Sequence, residues 1–172
     1  ATLTTEAVTL ATGANRRIGL EIARQLVKEG IRVVMGSRDP FKGERACAGL
    51  AAGELAVSHS LDVADTKSVQ RFVGFVEKEF GGLDILVNNA GVAGLVANAA
   101  DVDMAAWDDC LAINVRGTIL CIKHAVPRLK ARGGGTIVNI SSLTGLKGTP
   151  MRSAYTASKY AVLGITDAVA QE

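Results

Sequence analysis

Short apolar runs alternate along the chain with longer segments whose apolar residues recur three and four positions apart. The first run, Ala7-Val8-Thr9-Leu10-Ala11, is too greasy to present one face to water, and it predicts a strand covered on both sides. Ile18, Ile22, Ala23 and Leu26 share one face of a helix from Ile18 to Glu29, which Gly30 stops. Ile31 to Gly36 reads as a second strand, Phe41 to Leu50 as a helix and Leu55 to Leu61 as a third strand. Val69, Phe72, Val73 and Val76 place Ser68 to Phe80 in a helix, and Leu83 to Val87 follows as a fourth strand. A long helix is predicted from Met104 to Ala131, with a kink or a loss of bonding at Pro127. Gly133-Gly134-Gly135 closes it, Thr136 to Ile140 is the fifth strand, and Tyr155 to Val169 is the last helix.

Greasy strands separated by helices mean an α/β fold with a parallel sheet covered on both faces. Right-handed crossovers then give a Rossmann-like doubly wound sheet in the order 3-2-1-4-5. The length of 172 residues suits one domain, 1–172, and no linker, low-complexity tract or repeat divides it.

Composition narrows the function by exclusion. An apolar share of 48% argues against disorder. A net charge of +2, scattered along the chain, argues against nucleic acid and against an acidic membrane surface. No apolar run is long enough to span a bilayer. Residues 1–6 lack the basic and apolar stretches of a signal peptide. Cys47, Cys110 and Cys121 have no metal-like spacing and read as free thiols in a reducing compartment. The expectation is a cytoplasmic protein without a metal site.

The chemistry begins at Thr12-Gly13-Ala14-Asn15-Arg16-Arg17-Ile18-Gly19, between the first strand and the first helix. Glycines there permit a tight turn and close approach of the backbone, and a helix N-terminus attracts pyrophosphate. Thr12 can brace the turn through its hydroxyl. At the tip of the second strand stand Ser37, Arg38 and Asp39. A carboxylate at that tip grips ribose hydroxyls, whereas guanidinium groups favour a ribose phosphate. Ser37, Arg38, Arg16 and Arg17 therefore point to NADP in preference to NAD, while Asp39 can pair with Arg38 or turn toward the ribose. Asp62-Val63 ends the third strand, with Asp62 an acceptor for the adenine amine or a helix N-cap. Asn88-Asn89-Ala90-Gly91 ends the fourth, where the amides can tie strands together and small residues admit a cofactor. Ser141-Ser142 ends the fifth.

Tyr155 and Lys159, four apart, project from one face of the last helix. A free phenol ionises near pH 10, and an adjacent ammonium favours the phenolate. Joined to a dinucleotide turn, the pair points to proton transfer that accompanies hydride transfer.

These stretches, with Asn114 in Ile-Asn-Val-Arg-Gly, occur in one order across almost the whole chain, which resembles the short-chain dehydrogenases/reductases and within them the carbonyl reductases. The resemblance implies that Tyr155 is the general acid in reduction and the base in oxidation. It implies that Lys159 tunes Tyr155 and binds the nicotinamide ribose, and that Ser142, with Ser141 as the fallback, holds the substrate oxygen. Asn114 would hold a water linking Lys159 to solvent, or else is a mid-helix amide meeting the backbone. The implied cofactor contacts are Gly13, Asn15, Arg16, Arg17, Ile18, Gly19, Ser37, Arg38, Asp62, Val63, Asn89, Ala90, Gly91, Tyr155 and Lys159. His59 and His124 match no family position and read as structural or surface residues.

Two departures stand out. Arg17 occupies a place where the family usually carries glycine, and the chain ends near Glu172, short of the family's last strands and substrate lid. The reading is therefore of a C-terminally shortened protein with one sheet edge and an apolar surface exposed. The expected activity is NADP(H)-dependent interconversion of a small carbonyl compound and its alcohol, in a homodimer or homotetramer paired through the two long helices. The alternatives are a protein that binds NADP without turnover and a dimerising module.

Overall fold

The computed structural model describes residues 7–172, so residues 1–6, read above for a leader, lie outside the described part. Five strands, β1 (Val8–Thr12), β2 (Arg32–Ser37), β3 (Ala56–Ser60), β4 (Ile85–Asn88) and β5 (Thr136–Asn139), form one sheet. All neighbours are parallel and the order is β3-β2-β1-β4-β5, as the alternation of elements predicts. Six helices intervene: α1 (Arg17–Lys28), α2 (Pro40–Ala48), α3 (Thr66–Phe80), α4 (Met104–Leu111), α5 (Gly117–Ala131) and α6 (Ser153–Val169).

The sheet separates two apolar cores. On one face Val8, Leu10, Val34 and Leu86 pack with Phe72, Val73 and Val76 of α3 and with Cys121, Ile122 and Ala125 of α5. Ile165 and Val169 bring α6 to the same side. On the other face Ala11, Val33, Met35 and Val87 meet Ala23 and Leu26 of α1 and Ala46 of α2. Each large side chain fully buried this way, such as Phe72, contributes about 1.5–3 kcal/mol. β5 lies at one edge of the sheet, and its Val138 is 40% exposed.

The apolar period placed the helices but not their first residues. Asp39 accepts from the Lys42 N–H at 3.2 Å, and Pro40 opens α2 at its first position, one residue before the predicted start. Asp65 accepts from the N–H groups of Lys67 and Ser68, so α3 starts at Thr66. Leu55 belongs to a 3-10 turn before β3, not to the strand. The long helix from Met104 to Ala131 is interrupted at Ala112–Arg116 by a π turn, which joins α4 to α5. Apolar spacing carries no trace of this one-residue insertion, and such turns gather at functional sites. Pro127 sits inside α5 without ending it.

Candidate functional site

Because the strands are parallel and in register, their carboxyl ends open on one side of the sheet. The chain progresses outward from β1 to β3 and then returns to the far side of β1 as β4, leaving a crevice at the β1–β4 boundary. Hydrogen bonds fix that boundary. The Thr12 hydroxyl oxygen accepts from the N–H groups of Asn89 and Ala90 at 3.0 and 2.9 Å. The Asn89 amide donates back to the carbonyls of Thr12 and Gly13 at 2.9 and 3.1 Å. The predicted brace and strand tie are thus one device.

The bend that follows is shaped by close approach. Gly13 is at φ 60, and a Cβ on it would lie 2.9 Å from the Ala90 Cα. A Cβ on Gly19 would collide with the Asn89 amide and lie 2.7 Å from the Gly13 carbonyl oxygen. Gly19 is therefore buried behind the bend, in the first turn of α1. Arg17 takes φ 50, the left-handed conformation for which glycine is the unstrained residue.

A cleft of about 530 Å³ runs across the strand ends. Gly13, Asn15, Arg16, Arg17, Ile18, Ser37, Arg38, Asp62, Val63, Asn89, Ala90, Gly91, Tyr155 and Lys159 all line it. These residues come from the strand-end loops and from α6, with Gly13 and Lys159 146 positions apart, so the bend and the Tyr155 helix face one space. The N-terminus of α1 is open to it: aspartates cap α2, α3 and α4, whereas no side chain caps α1 at Arg16. Unpartnered helix N–H groups beside glycines, with arginines around them, fit the phosphates of a dinucleotide.

At the β2 end of the cleft, Asp39 neither pairs with Arg38 nor is free to turn toward a ribose. It caps α2 and forms an ion pair with Lys42 at 3.2 Å. The Lys42 backbone N–H, and then its side chain, hold the Asp39 carboxyl below its ordinary range. The buried Ser37 hydroxyl donates to the Asp39 carbonyl at 2.7 Å. Asp62 caps no helix, which corrects that alternative. Its carboxylate accepts from the Ala64 N–H at 3.0 Å, and Asp65 is the cap of α3.

At the other end, the Lys159 ammonium donates to the Ile140 carbonyl at 2.7 Å and lies 5.7 Å from the centre of the Tyr155 ring. Burial pushes Lys159 below its ordinary value, against a smaller opposing effect of Cys110. Asn114 lies behind the wall, in the π turn. Its amide oxygen accepts from the Val92 N–H at 2.8 Å, and its amide nitrogen donates to the Val92 carbonyl and to the Ser158 hydroxyl. Ser158 in turn donates to the Tyr155 carbonyl at 2.7 Å. Of the serine pair, Ser141 lines the cleft and spends its proton on the Lys159 carbonyl at 2.9 Å. Its neighbour Ser142 accepts from the Thr144 N–H at 3.3 Å, and its own proton has no partner among the described residues.

Sequence reasoning missed several wall residues. Lys42 was detectable, since an Asp and a Lys three apart at a helix start form a pair. Val92, Ala93, Ile113 and Ile140 carried no signal, because apolar residues become wall only through packing. His59 stacks on Phe75 at 4.5 Å and His124 lies on α5, both away from the cleft, as expected. Among the described residues no group of three side chains could hold a metal, and no helix is long and apolar enough to cross a membrane.

A model of the short chain dehydrogenase family matches residues 7–172. The chain belongs to that family. It is therefore related to oxidoreductases that work with nicotinamide dinucleotides on alcohols and carbonyl compounds. Among curated members, a D-beta-hydroxybutyrate dehydrogenase of Rhizobium meliloti is 38% identical over 165 residues, covering 94% of this chain and 63% of that protein. An NAD+-bound xylitol dehydrogenase superposes with a TM-score of 0.93 at 34% identity, covering 96% of this chain and 64% of the other. A variant actinorhodin polyketide ketoreductase with NADPH gives 0.91 at 35% identity, covering 98% and 66%. The chain thus spans about 63% of the length of that curated dehydrogenase.

Proposed function

We propose that this short-chain dehydrogenase is an NADP(H)-dependent oxidoreductase that interconverts a ketone or aldehyde and its alcohol. The observation that carries the reading is the single cleft lined both by the glycine bend and by Tyr155 with Lys159. The bound dinucleotide supplies the hydride.

The chain's own part is to bind, orient and move one proton. The open N-terminus of α1 and the Gly13 bend hold the phosphates, and Asp62 with Val63 flanks the adenine. Arg16, Arg17, Arg38 and Lys42 surround the ribose end of the cleft with positive charge, while the one carboxylate at the tip of β2 is spent on Lys42. That balance favours a ribose phosphate over a free ribose. Lys159 is anchored by one hydrogen bond to Ile140, which leaves two N–H groups for the nicotinamide ribose and the phenol. Tyr155 gives its proton to the substrate oxygen in reduction and takes it back in oxidation. Ser142 offers its free proton to the same oxygen, and Asn114 fixes the wall behind Lys159.

The relatives' printed activities, on hydroxybutyrate, xylitol and a polyketide ketone, agree in acting on a carbon that is alcohol on one side and carbonyl on the other. We read the span as one dinucleotide-binding domain that works in the cytoplasm as a homodimer or homotetramer. The test is dinucleotide binding followed by fluorescence, side by side for NADPH and NADH, with carbonyl-dependent oxidation over a substrate panel. Tight binding without turnover by any carbonyl would leave a nucleotide-binding protein and overturn the enzymatic reading.

A further inference from the structure

A second concavity lies beside the cleft, between α1 and α2. It encloses about 500 Å³, within the range of small-molecule sites. Its walls follow from helix periodicity. Arg16, Leu20 and Arg24 are spaced by four along α1 and its cap, so they share one face. Lys42, Arg45, Ala46, Gly49 and Leu50 recur three and four apart along α2 and just beyond it, and they form the facing wall. The floor is apolar, because Leu20, Ala46 and Leu50 are half-buried against the core on this side of the sheet. The rim is cationic, with Arg16, Arg24, Lys42 and Arg45, and no carboxylate among the described residues lines it.

This charge is only partly offset from outside. Arg24 meets Glu21 at 3.6 Å and Lys42 meets Asp39 at 3.2 Å, both at the surface, where water weakens such pairs. Arg16 and Arg45 have no carboxylate within ion-pair distance among the described residues. Nor does a side chain fill the groove at Gly49. Its backbone is ordinary right-handed helix, with φ −66, so its conformation makes no demand for glycine. Beyond its chain neighbours, a Cβ built there would have only the carbonyl oxygens of Ala46 and Arg45 within 4 Å, at 3.4 and 3.5 Å. A net charge of +2 over the whole chain thus conceals a local concentration of positive charge above an open apolar floor.

We propose that this groove binds a free organic phosphate, a phosphate monoester that carries an apolar chain. Its two negative charges lie among Arg16, Arg24, Lys42 and Arg45, and its chain lies on Leu20, Ala46 and Leu50. Guanidinium forks take phosphate oxygens through paired hydrogen bonds, and burial of the chain supplies an attraction that a bare anion lacks. The order of the layers favours a dissolved molecule over a bilayer. Here the apolar residues are the floor and the cations the rim, whereas a membrane-binding face puts its apolar side chains outermost. The groove and the cleft share Asn15, Arg16 and Lys42. If the cleft holds a dinucleotide as proposed above, a phosphate in the groove competes for Arg16 and Lys42 with a ribose phosphate, so the ester weakens NADPH and spares NADH.

The probes are hexyl phosphate, inorganic phosphate and hexanol, each titrated by calorimetry into the full chain without dinucleotide. Hexyl phosphate should bind about tenfold tighter than either control, since each control lacks one of the two contacts. A tenfold gain over inorganic phosphate corresponds to roughly two buried methylene groups. Gly49→Leu fills the groove without altering a charge and should remove hexyl phosphate binding. Arg24→Gln combined with Arg45→Gln should weaken it by at least about tenfold, and this pair keeps the test decisive if Gly49→Leu fails to fold. None of these three residues lines the cleft, so NADPH affinity should be kept, and far-UV circular dichroism checks folding independently of any ligand. Saturating hexyl phosphate should raise the NADPH Kd of the unsubstituted protein about tenfold and the NADH Kd less than about twofold. Binding of either control as tight as that of the ester, hexyl phosphate binding that survives these substitutions, or attachment to phosphatidic acid vesicles without binding of the soluble ester overturns the assignment. Hexyl phosphate binding that Gly49→Leu removes, in a protein that binds neither dinucleotide, supports the groove and counts against the dinucleotide reading.

Discussion

Asn114 pairs both polar ends of its side chain with the backbone of one residue, Val92. The amide oxygen accepts from the Val92 N–H at 2.8 Å, and the amide nitrogen donates to the Val92 carbonyl at 2.9 Å. The side chain thus acts as one more rung beyond the end of β4 and joins the loop there to the π turn. Asn114→Leu keeps the volume and leaves the Val92 groups without those partners in a buried place. Each orphaned group costs about 1–3 kcal/mol, so a loss of at least 2 kcal/mol in urea unfolding is expected. A loss below 0.5 kcal/mol would show that the pairing is incidental.

Tyr155→Phe preserves the ring beside Lys159 and removes the oxygen to which we assign the proton transfer. Turnover should fall by about 10²–10⁴, the usual worth of a positioned acid or base. NADPH binding should remain within a factor of about three, since the phosphate contacts are elsewhere in the cleft. Steady-state kinetics with a fluorescence titration separates the two effects.

Arg38→Ala removes a cation at the ribose end, where Lys42 is partly neutralised by Asp39. NADPH affinity should drop by about tenfold and NADH affinity by less than twofold, as expected for loss of one charge-assisted contact. Parallel titrations check the ratio, and equal weakening of both would remove the ribose-phosphate role.

Arg17 at φ 50 makes a stability prediction opposite to the usual effect of glycine. A left-handed non-glycine residue costs about 1–2 kcal/mol, and the extra freedom of an unfolded glycine costs about 0.5–1. Arg17→Gly should therefore stabilise the chain, by about 0.5–1 kcal/mol in chemical unfolding, while it weakens NADPH binding.

Lys159 gives a signed pH dependence. Burial lowers its folded value below the ordinary 10.5, so between those two values the unfolded chain holds more protons than the folded one. The stability contributed by this position must rise with pH through that window and be smallest below it. Lys159→Met removes the titration. The unfolding free energy of the unsubstituted protein relative to this variant should climb as the pH approaches 10.5, and a flat or falling difference would contradict the burial.

The pattern of greasy runs and 3.6-residue periods determined the strand–helix alternation, and with right-handed crossovers it determined the order β3-β2-β1-β4-β5. Spacing was also enough to single out Gly13, Asn89, Tyr155 and Lys159, because backbone turns and helix faces are local properties. Tertiary structure alone decided which of the candidates share a space. Gly19 went behind the bend because Asn89 fills the room a side chain would need, and Asn114 went behind the wall because an extra residue in the helix lets its amide reach Val92. It also assigned Asp39 to Lys42. The sequence can name a donor and an acceptor, but a hydrogen bond fails when its partner lies a few ångströms too far, and only packing fixes that distance.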